Sequence, residues 1–357
     1  MKGRVFLGMS GGVDSAVAGA ILLQQGYEVH GVFIKAWEKT VSTQAVCPWE
    51  EDQREVERVC KHLDIPWETW NLTREYSTRV FDYMIREFQN GRTPNPDIMC
   101  NREIKFNEFL KRAMAAGADF ISTGHYARCV SEGHEYMLCK GVDTEKDQSY
   151  FLYTLSQEQL AKTLFPIGEM TKNAVRMLAR KLRLPNADRK DSQGICFIGN
   201  VKMKDFLQPY LNQRVGQVLD NHGRSVGTHA GQAFFTIGQR HGIGVGGGAP
   251  YYVVAKNSET NTITVARENH DTLLLSSFLT AQEPSWVGKS TTFPLACTAK
   301  IRYRQPDQDC FVTEAGMNLN VSFTQPQRAV TPGQSVVFYQ QGKVLGGAII
   351  SNAHDNK

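Results

Sequence analysis

A glycine-rich turn near the start of the chain, Gly8-Met9-Ser10-Gly11-Gly12-Val13-Asp14-Ser15, restricts the fold more than any other stretch. It follows the apolar run 5–7 and precedes 16–25, a good helix-forming segment. Strand, tight turn, helix is therefore the expected order. Such a turn aims backbone N–H groups and the positive helix end at an anion, most naturally a phosphate. Gly11 and Gly12 let the backbone approach closely, and Ser10 and Ser15 add hydroxyl donors. Asp14 makes sense in an anion cradle if a divalent cation stands between it and the phosphates. The stretch lacks the Gly-Lys-Ser/Thr ending of a Walker A loop and the Gly-x-Gly-x-x-Gly dinucleotide spacing. Taken alone, the turn also reads as a plain strand-to-helix connection.

Downstream, short apolar runs alternate with helical patterns to about residue 125. Strands are expected over 28–35, near 66–70 and over 119–122, and helices over 50–63, 73–88 and 102–116. Val56, Val59, Cys60 and Leu63 share one helical face, which puts Cys60 in the core. This alternation means a parallel sheet with helices on both faces, holding ligands at the carboxyl ends of its strands. The 8–15 turn and Thr123-Gly124-His125-Tyr126 both fall there. A hairpin is expected over 126–141, turning at Glu132-Gly133, with Cys129 and Cys139 as buried strand cysteines or a cross-strand pair. A helical region follows over 156–183. After about residue 206 glycine becomes frequent, and 238–248 reads as an irregular, mobile loop. From about 271, alternating runs such as 299–304, 319–323, 335–339 and 348–350 predict a small antiparallel barrel. The expected architecture is α/β: a doubly wound, Rossmann-like catalytic domain (1–205), a small central domain (206–270) and a C-terminal β-barrel (271–357).

Of 357 residues, 41% are hydrophobic and 21% charged, as in an ordinary globular protein. No apolar run is long enough to span a bilayer, and the first strand starts too early for a signal peptide. A cytoplasmic protein with no membrane partner is expected. Its eight cysteines are then no disulfide framework. Without a Cys-x-x-Cys pair, no metal site is expected either. Cys47 has no visible partner. Cys100 lies after a proline-stiffened loop, Thr93-Pro94-Asn95-Pro96-Asp97, just before the expected helix, with Asn101 as candidate cap. A helix start lowers a thiol pKa, and Asp97 stands close as a general acid or base. A capped loop with a half-buried thiol is the equal alternative. Cys196, in Gly194-Ile195-Cys196-Phe197-Ile198, reads locally as part of a buried strand.

The Ser-Gly-Gly-x-Asp-Ser string resembles the PP-loop of ATP pyrophosphatases. Further stretches occur in order: Thr93–Asp97 with Cys100, Thr123–Tyr126, Lys146-Asp147-Gln148-Ser149-Tyr150-Phe151-Leu152, Gly194–Ile198, Gly238-Gln239-Arg240, Arg302-Tyr303-Arg304 and Pro332-Gly333-Gln334. Together they resemble the bacterial tRNA-specific 2-thiouridylase family over essentially the whole chain. That resemblance implies ATP and magnesium at Gly8–Ser15, with Ile34 and Gly124 also contacting the nucleotide. It implies adenylation of uracil O2 in the wobble uridine (position 34) of Lys, Glu and Gln tRNAs, then sulfur transfer from a persulfide on Cys196. Cys100 is the implied partner thiol, and a Cys100–Cys196 disulfide is left for external reduction. Sulfur would come from a donor protein, a cysteine desulfurase or a sulfur-relay protein. Asn95, Pro96 and Asp97 match positions at the target base. His125, Lys146, Asp147, Gln148, Arg302, Tyr303 and Gln334 match tRNA-contacting ones, with Tyr303 suited to stacking on a splayed base.

The net charge of +4 permits an RNA partner without arguing for one. Two basic rows suit a phosphate backbone: Lys172, Arg176 and Arg180 on an expected helix, and Lys300, Arg302 and Arg304 on an expected strand. Taken alone, each row reads first as a solvated charged face. Three rival functions stay open on the sequence: an amidating PP-loop ligase, a non-catalytic RNA-binding protein and a 4-thiouridine synthetase. The first leaves Cys100 and Cys196 without a task, and the intact Ser10–Ser15 string argues against the second.

Overall fold

The computed structural model describes residues 2–38, 48–191, 194–199, 201–211, 213–246, 249–267, 272–288 and 291–354. The first part contains β1 (Arg4–Met9), β2 (Glu28–Lys35), β3 (Trp67–Asn71), β4 (Phe120–Ser122), the hairpin β5 (Ala127–Glu132) and β6 (Glu135–Lys140), and β7 (Thr163–Leu164). Five of these form a wholly parallel sheet in the order β3-β2-β1-β4-β7. Successive β1 side chains point to opposite faces. Val5, Leu7 and Met9 pack with helices α1 (Val13–Gln24), α2 (Pro48–Leu63) and Lys172–Lys181. Phe6 packs on the other side with helices over 73–89 and 96–115. Cys60 is fully buried, as its helical face requires. Strand order reverses between β1 and β4, and the crevice outside their carboxyl ends is the ligand position of such sheets.

The helix expected over 102–116 starts earlier. Asn95 caps it, its Oδ1 accepting from Ile98 N at 3.3 Å. Pro96 takes the first helical place, where a missing N–H costs nothing. Asn101 is thus not a cap, and Cys100 lies inside the helix. Over Asn101–Phe109 the helix widens to i→i+5 bonding, as it does over Ser77–Phe81 in the 73–89 helix. The region expected to be helical over 156–183 is two helices, Gln157–Ala161 and Lys172–Lys181, with β7 between them.

The middle sheet, β8 (Gly216–Asp220), β9 (Ser225–His229), β10 (Tyr251–Asn257) and β11 (Thr262–Arg267), has the order β10-β11-β8-β9. Residues 238–246 of the glycine-rich segment form no helix or strand; Gly247 and Gly248, like Cys47, lie outside the described residues.

The last sheet comprises β12 (Leu275–Trp286), β13 (Leu295–Lys300), β14 (Gln308–Ala315), β15 (Asn318–Arg328), β16 (Ser335–Gln340) and β17 (Lys343–His354). It closes as an antiparallel barrel, β12-β15-β14-β13-β16-β17 and back to β12. The strand expected over 299–304 ends at Lys300, and the chain turns through 301–304 with Arg304 at φ 65°. Lys300, Arg302 and Arg304 therefore do not share a strand face. The β5–β6 hairpin turns at Gly133-His134 and leans on the barrel, Cys139 registering with Lys343. Cys129 faces Leu138 and Cys139 faces Arg128, so the two thiols point to opposite sides and do not pair.

Barrel and first sheet are also bonded directly. Tyr150 OH donates to Ser335 O at 2.8 Å, Gln157 Nε2 to Val287 O at 2.7 Å, and Thr93 N to Pro332 O at 2.9 Å. Gln334 Nε2 donates to the carbonyls of Thr93 and Pro94 at 2.9 and 3.2 Å.

Candidate active site

The turn after β1 is shaped for an anion. Gly11 has φ 73°, and a Cβ there would meet Arg189 Nη1 at 2.6 Å and Asp52 O at 2.8 Å. Gly12 caps α1 without any side chain bonded to the first-turn N–H groups, which stay available to a ligand. Ser10 and Ser15 Oγ stand 3.4 Å apart beside them. Asn186 Nδ2 and Arg189 Nη1 fix Gly11 O at 2.8 and 3.0 Å. Gly124, just past β4, abuts the loop so closely that a Cβ would lie 2.7 Å from Ser15 N. Gly8 and Met9 end β1, Val13 anchors α1 in the core, and Ile34 is buried near the end of β2. Open amides, hydroxyls and glycine clearance fit a nucleotide's phosphates.

Asp14 already has a cation. Lys172 Nζ bonds its Oδ1 and Oδ2 at 2.8 and 2.9 Å, and Tyr126 OH donates to Oδ1 at 2.7 Å. Asp191 bonds Lys172 and Lys146 at 2.8 Å and Arg176 at 2.7 Å. Burial alone would raise the Asp191 carboxyl, but Lys146 and Lys172 outweigh it and hold it at about 2. Arg180 meets Asp188. The basic row on this helix is thus neutralised residue by residue. Among the described residues no group of three His, Cys, Asp or Glu is placed to hold a metal ion. The carboxylate nearest the phosphate cradle is Asp14 itself.

The second centre joins residues far apart in sequence. Cys100 Sγ donates to Cys196 Sγ at 3.4 Å. Asp97 Oδ1 accepts from Cys196 N at 3.1 Å, and Tyr76 OH donates to Cys196 O at 2.8 Å. Cys196 is not on a strand. It sits in a tight turn closed by a bridge between Ile195 and Gly199, with Phe197 at φ 66°. That conformation costs an aromatic residue roughly 1–3 kcal/mol, a strain found at functional sites.

The two thiols differ in charge. Burial, then the hydrogen bond it gives Cys196, pushes Cys100 well above the usual thiol range. Its place in the helix interior removes the helix-start effect expected for it. Cys196 goes down, through the Cys100 hydrogen bond first and the nearby Lys105 ammonium second, against its burial. Cys196 is the more readily ionised thiol of the pair. Burial raises Asp97.

The other expected residues are spread between these centres and the barrel. Asn95 and Pro96 start the Cys100 helix. His125 is only 8% exposed, with Nδ1 2.7 Å from Thr123 Oγ1, and burial keeps it neutral, well below its ordinary pKa. Asp147 is buried and accepts from Gly141 N, Ser149 N and Ser149 Oγ. Gln148 Oε1 accepts from Tyr126 N. Arg302 Nη2 donates to Ala329 O, and Gln334 clamps the 93–94 carbonyls. Tyr303 packs on Phe151, ring centroids 4.6 Å apart.

A family model described as the tRNA methyl transferase HUP domain matches residues 3–200. A tRNA methyl transferase PRC-barrel model matches 204–267, and an aminomethyltransferase β-barrel model matches 276–350. A tRNA-specific 2-thiouridylase MnmA of Hydrogenovibrio crunogenus is 48% identical, the match covering 98% of this chain and 94% of that one. A protein of the same name from Staphylococcus epidermidis is 47% identical, over 99% of this chain and 96% of that one. The chain belongs to the tRNA-specific 2-thiouridylase family. Among solved structures, a 4-thiouridine synthetase–RNA complex with bound ATP is 20% identical over 55% of this chain and 45% of that one, with a TM-score of 0.36. No described helix is long and apolar enough to cross a membrane.

Several residues of this 2-thiouridylase family member escape a sequence reading. Tyr76 bonds the Cys196 carbonyl, Lys105 stands beside the Phe197 ring next to it, Lys172 and Tyr126 hold Asp14, and Asn186 and Arg189 hold the PP-loop. Lys172 carried a local signal as one member of a charged row, and Tyr126 as the end of the Thr123–Tyr126 stretch.

Proposed function

We propose that this protein catalyses ATP-dependent 2-thiolation of the wobble uridine, position 34, of tRNAs of the Lys, Glu and Gln type. The observation that carries the reading is the Cys100–Cys196 pair at 3.4 Å with Asp97 beside it, on a fold whose first loop is an open anion cradle. Gly8–Ser15, with Ile34 and Gly124, would hold ATP. Magnesium would accompany the triphosphate, with Asp14 the carboxylate at hand to it and to Lys172.

Uracil O2 is a poor leaving group, so it must be activated. Attack by O2 on the α-phosphate forms the O2–P bond and expels pyrophosphate. A sulfane sulfur held on Cys196 is then delivered to C2, and the former O2 leaves with AMP. Delivery is by direct persulfide attack or as sulfide released by Cys100. Either route ends in a Cys100–Cys196 disulfide that an external thiol must reduce. Asp97 is suited to proton transfer because burial favours its protonated form. The persulfide comes from a cysteine desulfurase or a sulfur-relay protein.

Binding of the tRNA is assigned to Asn95, Pro96, Asp97, His125, Lys146, Asp147, Gln148, Arg302, Tyr303 and Gln334. Buried His125 and Asp147 would act by shaping the loops around the base, and Lys146 by exchanging Asp191 for a phosphate. The deciding test is nucleoside mass spectrometry of tRNA incubated with protein, ATP and a persulfide donor. 2-Thiouridine at position 34, absent with Cys196→Ser, is the expected result. Sulfur at another base or atom, or amidation without sulfur, would overturn it.

A further inference from the structure

We propose that Lys105 is a positioning residue that makes Cys196, rather than Cys100, the thiol that takes up sulfur. Its purpose rests on the thiolation reading; its charge effect on the thiols does not. Lys105 lies five residues beyond Cys100, inside the widened segment Asn101–Phe109. In a regular α-helix that spacing would put it about 140° around the axis from Cys100, at 100° per residue. The i→i+5 register brings the fifth residue back beneath the first. The half-buried ammonium thereby stands 5.9 Å from the ring centroid of Phe197, the residue next to Cys196, where its charge acts on that thiol.

No ion pair with a carboxylate uses Lys105 among the described residues. Half-buried Lys140 and buried Lys172 and Lys300 each pair with an aspartate. An ammonium withdrawn from water needs a compensating anion. The titratable groups around it are Cys196, Cys100 and Asp97, together with His125, which burial and this ammonium keep neutral. Burial pulls Lys105 down, yet Cys196 first, then Cys100 and Asp97, outweigh it and keep the lysine charged. One proton shared by two thiols then rests on Cys100, the donor across the 3.4 Å contact, and the negative charge rests on Cys196.

The consequence is directional. Cys196 thiolate attacks the outer sulfur of a donor persulfide, R–S–SH. The Cys196 S–S bond forms, the donor's S–S bond breaks, and the donor leaves as its thiolate. Cys100 keeps its proton until the persulfide is spent.

The test is alkylation of the intact protein by iodoacetamide across a pH series, followed at each cysteine by peptide mass spectrometry. In wild type, Cys196 should react first. Lys105→Met should slow Cys196 about tenfold or more near neutral pH, moving its midpoint up by about a unit or more, and Lys105→Arg should restore it. Lys105→Gln replaces Lys105→Met if the latter does not fold, judged by circular dichroism. A folded Lys105→Met or Lys105→Gln protein with unchanged order and midpoint would overturn the assignment. If Cys196 leads as expected but tRNA gains no sulfur, the thiolation reading fails and the role of Lys105 at the thiols stands. If tRNA is thiolated while the variant alkylates like wild type, only this inference fails.

Discussion

At the scale of residues, Cys196 shows how little a local sequence says about reactivity. Ile195, Phe197 and Ile198 around it are those of a core strand, and two of the three are indeed buried. Its chemistry comes from residues 76, 97, 100 and 105, which the fold brings to it from two other helices. The Asp97–Cys100 spacing was legible because a proline-stiffened loop stands out; the effect of a helix start on Cys100 was misplaced because Asn95, not Asn101, is the cap. Asp97 gives a pH test. Burial raises its folded pKa above the unfolded value near 3.9. The folded state holds that proton more tightly, so the group's stabilising contribution is complete below the unfolded pKa. It is lost as pH rises through the folded one. The stability of wild type relative to Asp97→Asn should therefore fall as pH rises above about 4, measured by urea unfolding at each pH. A difference that grows with pH would contradict this.

At the scale of elements, the strands of the parallel sheet were legible from short apolar runs between helical patterns, and the Gly8–Ser15 turn from its glycines. The widened helical segments were not, because apolar spacing reports a period of 3.6 and carries no mark of an extra residue per turn. The 301–304 turn was hidden for a similar reason: Arg302 and Arg304 alternate as a strand would, and only the left-handed Arg304 breaks the run. The clasp between the 93–94 loop and the barrel is also a property of elements. A Cβ on Gly333, at φ 92°, would lie 2.9 Å from the Thr93 backbone, and Gln334 bonds both carbonyls. Gln334→Ala should cost about 1 kcal/mol and raise amide exchange over residues 93–101 about fivefold. Unchanged exchange there would show that the clasp does not hold the start of the Cys100 helix.

At the scale of the molecule, the β-rich C-terminal part was foreseeable, but its attachment was not. Nothing in the 126–141 pattern tells that its hairpin leans on a barrel two hundred residues later. Nor do Tyr150 and Tyr153, apolar-looking in sequence, announce that both hydroxyls meet Ser335. These buried bonds tie barrel and parallel sheet into one cooperative body. Calorimetry should show one transition for the two, and Tyr150→Phe should lower it by about 2–4 °C. Two separated transitions in wild type would refute the interlock.

Ile350, in β17, bonds Gly333 N through its carbonyl and Gln334 O through its amide, each at 2.8 Å. The grip on the loop ahead of Cys100 thus depends on a strand far along the chain from it. A chain cut before Ile350 would lose both bonds that seat Gly333 and Gln334 against the 93–94 loop.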